Sequence, residues 1–437
     1  MLNEPRHRSA FPAWANATDA QWNDWKWQFK NRIAEPTQLQ AAFPLSRNET
    51  LGTLRSKELF RLGITPHYAT LIDPEDPRCP MRLQAVPRLE EMEVAEFERR
   101  DPLAEDKDSP VPGLIHRYPD RVLLLITHEC TLYCRYCTRR RIVGDHEGND
   151  TTQLYAAIDY IRRNPQIRDV LISGGEPLAV SDSRLEDVLS RLRSIPHVEI
   201  IRIGTRIPVV LPQRITLDLV TMLRRYHPLW LNTHFNHPFE LKPAATRQAM
   251  ERLVDAGIPT GNQSVLLKGV NDCPVVMRKL LHELVKLRCR PYYLYSCDLS
   301  EGLSHFRTPI ETGLSIMESL WGHTSGYAVP TFVVDAPGGG GKIPLQPNYQ
   351  LATGNGRIVL RNYKGEVATY TDGSPSEDHD PLCARCGTDH SSIRYGPAAD
   401  IWRRSGAAAP EPSHVHVHLK PVLTQLIYAS NESLPRG

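Results

Sequence analysis

The sequence predicts an α/β fold built around a parallel sheet. From residue 121 onward, short apolar runs typical of strands alternate with amphipathic windows in which apolar residues recur at helical spacing. This alternation is typical of parallel strands with helices outside them, as a full or partial α/β barrel or as a doubly wound sheet. Residue types suited to chemistry directly follow the predicted strands, where such folds bind their ligands. We therefore expect one active site at that edge.

The N-terminal region, residues 1–112, is predicted to be helical and to end in a connector. Trp22, Trp25 and Phe29 recur at helical spacing, which is typical of a helix face packed against a core. The charged stretch 96–113 lacks a sustained apolar face and ends in prolines, so we interpret it as a connector before the main domain.

The main domain is predicted to occupy residues 113–345. Seven strands are predicted, at 122–127, 170–175, 199–205, 230–235, 263–267, 292–297 and 331–337. Helices are predicted between them, at 154–163, 185–195, 216–226, 245–257 and 275–287. The remaining residues, 346–437, are rich in turn-forming residues and contain a second cysteine cluster, so we expect a C-terminal extension that makes subunit contacts.

Composition and charge exclude several classes of protein. The chain has 437 residues, 41% of them hydrophobic, which is enough for a large buried core. Its 52 basic and 50 acidic residues argue against binding of nucleic acid or a membrane surface through bulk charge. The N-terminus is polar and broken by prolines, so we expect a cytoplasmic protein. Nine cysteines without an export signal favour metal ligands or reactive thiols over disulfides.

The first cysteine cluster, Cys130, Cys134 and Cys137, directly follows the first predicted strand. Three closely spaced thiolates suit an iron-sulfur cluster or zinc. A structural zinc site needs a fourth ligand, and nearby His128 and His146 lack the usual paired spacing. Three ligands to a four-iron cluster would leave one iron open to bind another molecule. We therefore favour the iron-sulfur interpretation.

This spacing, with Tyr136 directly before the third cysteine, resembles the radical S-adenosylmethionine (SAM) enzymes. The resemblance implies a 4Fe-4S cluster whose open iron binds SAM, and an electron donor such as flavodoxin or ferredoxin. The motif SGGEP after the second strand matches the glycine-rich segment that holds SAM in that family. The implied SAM-binding residues are Tyr136, Ser173, Gly174, Gly175, Glu176 and Gln263.

A lysine, Lys342, follows four glycines after the last predicted strand. The segment fails the phosphate-binding P-loop pattern, because Ala336 stands at the first glycine and Ile343 at the Ser or Thr. Two interpretations remain from the residues alone. Lys342 is either a solvated loop lysine or an amine presented for covalent attachment of pyridoxal phosphate (PLP).

Longer matches between residues 113 and 370 decide between them. The stretches "CRYCTRRR", "RIGTRIPVVLPQRIT", "WLNTHFNHP" and "PTFVVDAPGGGGK" resemble the lysine 2,3-aminomutase family of radical SAM, PLP-dependent enzymes. The resemblance implies a partial (β/α)6 barrel and a reaction that moves an α-amino group to the β-carbon by a SAM-derived radical. It assigns iron ligation to Cys130, Cys134 and Cys137, PLP binding to Lys342, Arg117, Tyr118 and Arg121, and substrate binding to Arg139, Asp298 and Asp335. Arg140 and Arg141 are expected to form a solvated turn.

The aspartate pair, Asp298 and Asp335, predicts a basic substrate, since an enzyme acting on glutamate would not keep both carboxylates. L-Lysine, giving β-lysine, is the first choice. L-Arginine is the alternative, because Glu301 adds a carboxylate near Asp298 that would suit a guanidinium. A radical SAM enzyme without PLP and a zinc-stabilised binding protein are the remaining interpretations.

The family resemblance also implies a zinc site that joins subunits of a homo-oligomer. Cys273, Cys383 and Cys386 match three of its ligands, and Pro381 stands where the fourth cysteine is expected. A neighbouring His379 or Asp380 could substitute chemically, or the metal is absent.

Overall fold

The computed structural model describes most of the chain up to residue 373, in the ranges 4–56, 60–144, 150–354 and 356–373. The described residues up to Leu351, together with Leu360–Ala368, form one compact unit. The described residues of Ala352–Val359 and of 369–373 fall in a second. None of the helices in the described ranges has the length and apolar character that a bilayer span requires.

The described N-terminal residues form six short helices, α1 (Asp19–Asn23), α2 (Trp25–Lys30), α3 (Pro36–Ala42), α4 (Arg47–Ser56), α5 (Pro66–Ala69) and α6 (Pro80–Leu83). The stretch around the tryptophans is two helices rather than one, because Asp24 ends α1 and its side chain accepts a hydrogen bond from the backbone of Lys26 to start α2. Trp22, Trp25 and Phe29 are partly buried against the core, as their spacing predicts.

The main sheet has nine strands in chain order: β1 (Leu114–Tyr118), β2 (Arg121–Leu125), β3 (Asp169–Ser173), β4 (Ile200–Gly204), β5 (Leu229–Thr233), β6 (Thr260–Leu266), β7 (Cys289–Ser296), β8 (Thr331–Ala336) and β9 (Gly341–Leu345). Strands β2 to β8 are parallel, and they are the seven predicted strands. The edge strands β1 and β9 are antiparallel to their neighbours and were not predicted. The strand order does not close on itself, so the sheet is a partial barrel, as predicted.

Helices follow the strands as α7 (Thr151–Arg163), α8 (Asp182–Arg193), α9 (Ile207–Val210), α10 (Leu217–Arg224), α11 (Ala244–Asp255), α12 (Pro274–Lys286) and α13 (Ile310–Leu320). The five predicted helices are present as α7, α8, α10, α11 and α12. The side chains of Asp150, Ser181 and Thr216 cap α7, α8 and α10 respectively. With α13 they complete six strand-helix units before β8, which confirms the (β/α)6 prediction.

The barrel interior is hollow. In β2, Val122 and Leu124 are buried, whereas Arg121, Leu123 and Leu125 are only half-buried. Neighbouring residues of a strand point to opposite faces, and Arg121 and Leu123 line a cavity. The buried face therefore packs on the helices and the half-buried face surrounds open space. A closed (β/α)8 barrel fills this space with side chains.

A separate three-stranded sheet is formed by β10 (Gln350–Gly354), β11 (Arg357–Arg361) and β12 (Val367–Thr371), in that order. These strands lie in the part of the chain where the sequence predicts only turns. The proposed boundary at residue 346 stays a prediction, because most of the C-terminal extension lies outside the described residues.

Candidate active site

The carboxyl ends of the parallel strands surround a cavity of about 330 Å³. The residues predicted to bind the iron-sulfur cluster, SAM and the substrate contribute to its lining together with Lys342, although they are far apart in the sequence. The predicted site residues that line it are Cys130, Cys134, Tyr136, Cys137, Arg139, Ser173, Gly174, Gly175, Glu176, Gln263, Asp298, Asp335 and Lys342. The expectation that these residues meet at one edge of the sheet is therefore met, while their individual roles stay predictions.

A second cavity, of about 500 Å³, lies beside the first and extends down the barrel interior. The residues predicted to bind PLP, Arg117, Tyr118 and Arg121, line it. Both cavities share Arg139, Lys342 and several other residues as lining. A molecule held in the larger cavity can thus meet one held in the smaller cavity at Lys342.

The cysteine loop follows β2 and is tied to the N-terminal region by its backbone. The N–H of Tyr133 donates to the carbonyl of Gly63 at 3.1 Å, and that of Arg135 to the carbonyl of Gln84 at 3.0 Å. Within the described residues, no three His, Cys, Asp or Glu side chains lie close enough together to hold a single metal ion. In a four-iron cluster each cysteine binds a different iron. The three cysteines therefore need not lie close enough together to bind one ion, and their arrangement is compatible with such a cluster.

Burial raises the pKa of Cys130 well above its usual value, and the charges of Cys137 and Cys134 raise it further. The pKa of Cys137 is raised to about 11, by burial and then by Cys134. Three thiolates at one cavity therefore need a positive partner. A cluster of iron ions bound to them would supply it.

Arg206, for which the sequence predicted no role, contacts the cysteine loop. Its Nη1 donates to Sγ of Cys134 at 2.8 Å, and its Nη2 donates to Glu240 at 2.8 Å and to Gln84 at 2.8 Å. The contact joins residues 72 positions apart. No local pattern in the sequence could have indicated it, although Arg206 lies within the quoted stretch "RIGTRIPVV".

The glycines of "SGGEP" allow the end of β3 to approach the cysteine loop closely. A Cβ on Gly174 would lie 2.2 Å from the carbonyl oxygen of Thr127, and one on Gly175 would lie 2.3 Å from that of Glu129. The backbone N–H of Gly175 donates to Thr127 at 2.7 Å. Any larger residue would separate these two backbones, and Ser173 would then be displaced from the cavity.

Tyr136 and Glu176 differ in what they offer to a ligand. Tyr136 is buried, its ring stacks on His234 at 5.5 Å, and its hydroxyl has no hydrogen-bond partner among the described residues. A bound molecule could satisfy that hydroxyl. The carboxylate of Glu176 instead accepts hydrogen bonds from Thr205 and from the backbone of Arg206, and burial raises its pKa to about 7.

The hairpin of β8 and β9 presents Lys342. Lys342 lies directly opposite Asp335 in the antiparallel pair, so both side chains are on one face. The Lys342 amine is 3.2 Å from Oδ1 of Asp335. In the turn, Gly339 has φ of 89°, a conformation that L-residues with side chains rarely adopt. The backbone N–H of Lys342 donates to the Tyr118 hydroxyl at 3.1 Å, which ties the hairpin to β1.

The β1–β2 hairpin brings two guanidinium groups to the larger cavity. Arg121 lies over the ring of Tyr118 at 3.9 Å, and the ring faces the same cavity. The Nε of Arg117 donates to Asp108 at 2.8 Å, and its Nη2 donates to the carbonyl of Leu103. Two arginines and a lysine around one cavity suit a phosphate dianion and an aldehyde, so the residues present fit PLP.

Asp298 and Asp335 place two carboxylates in the smaller cavity. Burial raises the pKa of Asp298 to about 7, and the charge of Asp335 raises it further while Lys342 lowers it. A cationic group bound between them would lower this pKa. Glu301 lines neither of the two cavities, so its carboxylate gives no support to a guanidinium substrate.

Each arginine of the run 139–141 is paired with an acid from the segment 91–106. Arg140 bonds Glu91 at 2.6 Å, and Arg141 bonds Asp106 at 2.7 Å. Their side chains are 9% and 6% exposed, so the prediction of a solvated turn for Arg140 and Arg141 was wrong. Glu105 and Asp106 belong to the stretch 96–113 that we interpreted as a connector, and Glu91 lies just before it. The sequence did not indicate these pairs, because ion pairs between distant segments leave no periodic pattern.

The candidate zinc ligands are only partly within the described residues. Cys273 is exposed and directly precedes α12, and it lines neither cavity. Cys383 and Cys386 lie outside the described residues. The zinc site stays a prediction.

The chain is similar to two protein families and to several known enzymes. Residues 124–281 match the family model described as the radical SAM superfamily, and residues 317–392 match one described as lysine-2,3-aminomutase. The chain is 57% identical to the L-lysine 2,3-aminomutase of Fusobacterium nucleatum, over 82% of this chain and 84% of the relative. It is 55% identical to that of Bacillus subtilis, over 84% and 78%. A glutamate 2,3-aminomutase of Clostridioides difficile is 44% identical, over 82% and 84%.

Proposed function

The chain belongs to the lysine 2,3-aminomutase family of radical SAM isomerases, and we propose that it moves the α-amino group of L-lysine to the β-carbon, giving β-lysine. One observation carries the choice of substrate. The smaller cavity contains a guanidinium, Arg139, and two carboxylates, Asp298 and Asp335. These groups complement the α-carboxylate and the side-chain ammonium of lysine.

The ion pair of Lys342 shows how the two aspartates of the smaller cavity would bind the side-chain ammonium of the substrate. Its primary ammonium is already paired with Asp335 at 3.2 Å. The ammonium of a substrate lysine has the same charge and the same three donors. When the Lys342 amine is engaged elsewhere, Asp335 becomes available for that ammonium. A glutamate side chain would be repelled by both aspartates.

We infer the following cofactor sites from the family and from the fit described above. Cys130, Cys134 and Cys137 hold a 4Fe-4S cluster. SAM is bound near Tyr136, Ser173, Gly174, Gly175, Glu176 and Gln263. PLP is bound by Lys342, Arg117, Tyr118 and Arg121. When bound, these groups supply a carbon-centred radical and a carrier for the migrating nitrogen.

The contribution of the chain itself is orientation and shielding. Arg139 binds the carboxylate and the aspartates bind the distal ammonium, so the carbons between them have little freedom. Fixing a reactant in this way lowers the entropic barrier of the later steps. Leu103, Leu123 and Leu171 line both cavities. We expect these apolar side chains to keep water from the reacting carbon.

Further inferences about partners, assembly and zinc rest on family membership alone. An electron donor such as flavodoxin or ferredoxin supplies the electron that starts the reaction. The protein is a homo-oligomer in the cytoplasm, and a zinc ion bound by Cys273, Cys383 and Cys386 with a fourth ligand joins its subunits.

The proposed function is tested by an anaerobic assay with SAM, PLP and a reductant. L-Lysine, L-arginine and L-glutamate are offered separately, and each β-amino product is measured by mass spectrometry. We expect turnover of lysine. Turnover of arginine or glutamate in preference to lysine would overturn the choice of substrate, and the absence of any β-amino product would overturn the reaction.

Lysine is expected to bind more tightly as pH rises from 6 to 8. Asp298 has a pKa of about 7, so it loses its proton within this range, while the lysine ammonium stays charged. Only the ionised carboxylate attracts the ammonium, and a single group with this pKa gives about a tenfold fall in Kd between the two pH values. The measurement is a titration of lysine into the holoenzyme at each pH. Asp298→Asn should bind more weakly with no such slope, and a flat profile in the unsubstituted enzyme would contradict the assignment.

A further inference from the structure

We propose that Glu105 is a positioning residue, which holds Arg139 in the orientation that receives the carboxylate of the substrate. The inference rests on the function proposed above. The Arg139 Nε lies 3.0 and 3.1 Å from the two oxygens of Glu105, and the Arg139 Nη2 lies 2.7 Å from Oε1. This is a side-on, bidentate ion pair, the geometry that best fixes the plane of a guanidinium.

The pair leaves donors of Arg139 for a second carboxylate. A guanidinium carries five N–H groups, and Glu105 occupies the edge formed by Nε and Nη2. The opposite edge, at Nη1, is 3.5 Å from Oγ of Ser173. Arg139 lines both cavities, whereas Glu105 lines only the larger one. Glu105 therefore holds Arg139 from the side away from the smaller cavity.

Glu105 is itself firmly held. It is 5% exposed, and Nη1 of Arg141 lies 3.5 Å from its Oε2. Burial alone would raise the pKa of Glu105, but the charges of Arg139 and Arg141 outweigh it, so this pKa is below its usual value and the carboxylate is ionised. The preceding Ala104 has φ of 51°, which a residue with a side chain rarely adopts. The backbone N–H of Gly338, in the Lys342 hairpin, donates to the carbonyl of Pro102 at 3.2 Å, which ties the segment before Glu105 to that hairpin.

Glu105 could have two opposite effects on substrate binding, and removing it would change the affinity for lysine in opposite directions. If Glu105 orients Arg139, its removal frees the guanidinium to rotate and weakens binding of the substrate carboxylate. If Glu105 instead competes with that carboxylate, its removal strengthens binding. The unshared edge of Arg139 favours orientation, because both carboxylates can be accommodated at once.

The test compares lysine with 1,5-diaminopentane, which has both amines but no carboxylate. Dissociation constants of both are measured by absorbance with reconstituted holoenzyme, together with kcat and KM for lysine. We expect Glu105→Ala to raise the Kd and KM for lysine by roughly 10- to 100-fold, as for a misplaced contact, and to leave diaminopentane binding unchanged. Glu105→Gln, which keeps one acceptor, should show a smaller loss in the same direction. Glu96→Gln is the matched control, because Glu96 is exposed and lines neither cavity, and it should change the binding of neither ligand.

Several outcomes would overturn the inference. These are tighter lysine binding in Glu105→Ala, unchanged lysine binding, or an equal loss for both ligands. If Glu105→Ala does not fold, the same comparison with Glu105→Gln decides. A wrong choice of substrate would be recognised separately, in assays of the unsubstituted enzyme. If that enzyme converts arginine instead of lysine, the same comparison is made with arginine and its decarboxylated amine.

Discussion

Replacing Lys342 with alanine is expected to abolish the aminomutase activity, with a loss of roughly a thousandfold or more, because the site loses its amine for covalent attachment of PLP. The amine lies where the two cavities meet and 3.2 Å from Asp335. The alanine variant also removes the cation that pairs with Asp335 and lowers the pKa of Asp298. Activity is measured as β-lysine formed. Attachment is measured as the mass of the protein after borohydride reduction with PLP.

The control for this variant is Lys364→Ala. Lys364 is exposed, in the turn between β11 and β12, and lines neither cavity. It should keep full activity and the same gain in mass. Retention of covalently attached PLP by Lys342→Ala would show that another lysine carries it and that the role assigned to Lys342 is wrong.

Replacing Cys134 with serine is expected to be as damaging, through loss of the iron-sulfur cluster. A serine hydroxyl is a hard, weakly acidic ligand, whereas these clusters are held by thiolates. Cys134 also accepts the hydrogen bond from Arg206. After anaerobic reconstitution, iron and sulfide per chain should fall to a small fraction of the unsubstituted value, and SAM cleavage should fall roughly a thousandfold.

Cys79→Ser is the matched control for the metal analysis. Cys79 is buried and lines neither cavity, and its sulfur accepts a hydrogen bond from the backbone of Asp73 that a serine oxygen can also accept. Its iron content should be unchanged. A full complement of iron and sulfide in Cys134→Ser would exclude Cys134 as a ligand.

The parallel strands and their helices could be predicted from sequence because each one has a local signature. Val122 and Leu124 mark β2, and every predicted helix has a repeating apolar face. The edge strands β1 and β9 have no such signature. Each is five residues long and belongs to a hairpin, and β9 contains Pro344 and begins at the last of the four glycines.

The same distinction holds for the site. Residues in compact motifs, such as the three cysteines and Lys342, could be assigned candidate roles and do line the cavity. Arg206 and Glu105 could not, because they act through partners 72 and 34 residues away. The acids that pair with Arg140 and Arg141 were missed for the same reason. Predicting such pairs requires knowledge of which segments the fold brings together.

The hollow barrel ties the lifetime of the protein to its cofactors. Where a closed barrel has packed side chains, this one has space for ligands, so part of its interior is completed only when they bind. A molecule that binds the folded chain but not the unfolded chain stabilises the fold, and the gain in free energy of unfolding grows with the logarithm of the concentration of that molecule. We expect the melting temperature to rise on addition of PLP, and much less in Lys342→Ala. The chain without its cofactors should therefore spend more time unfolded, and be cut by proteases sooner, than the chain that holds them.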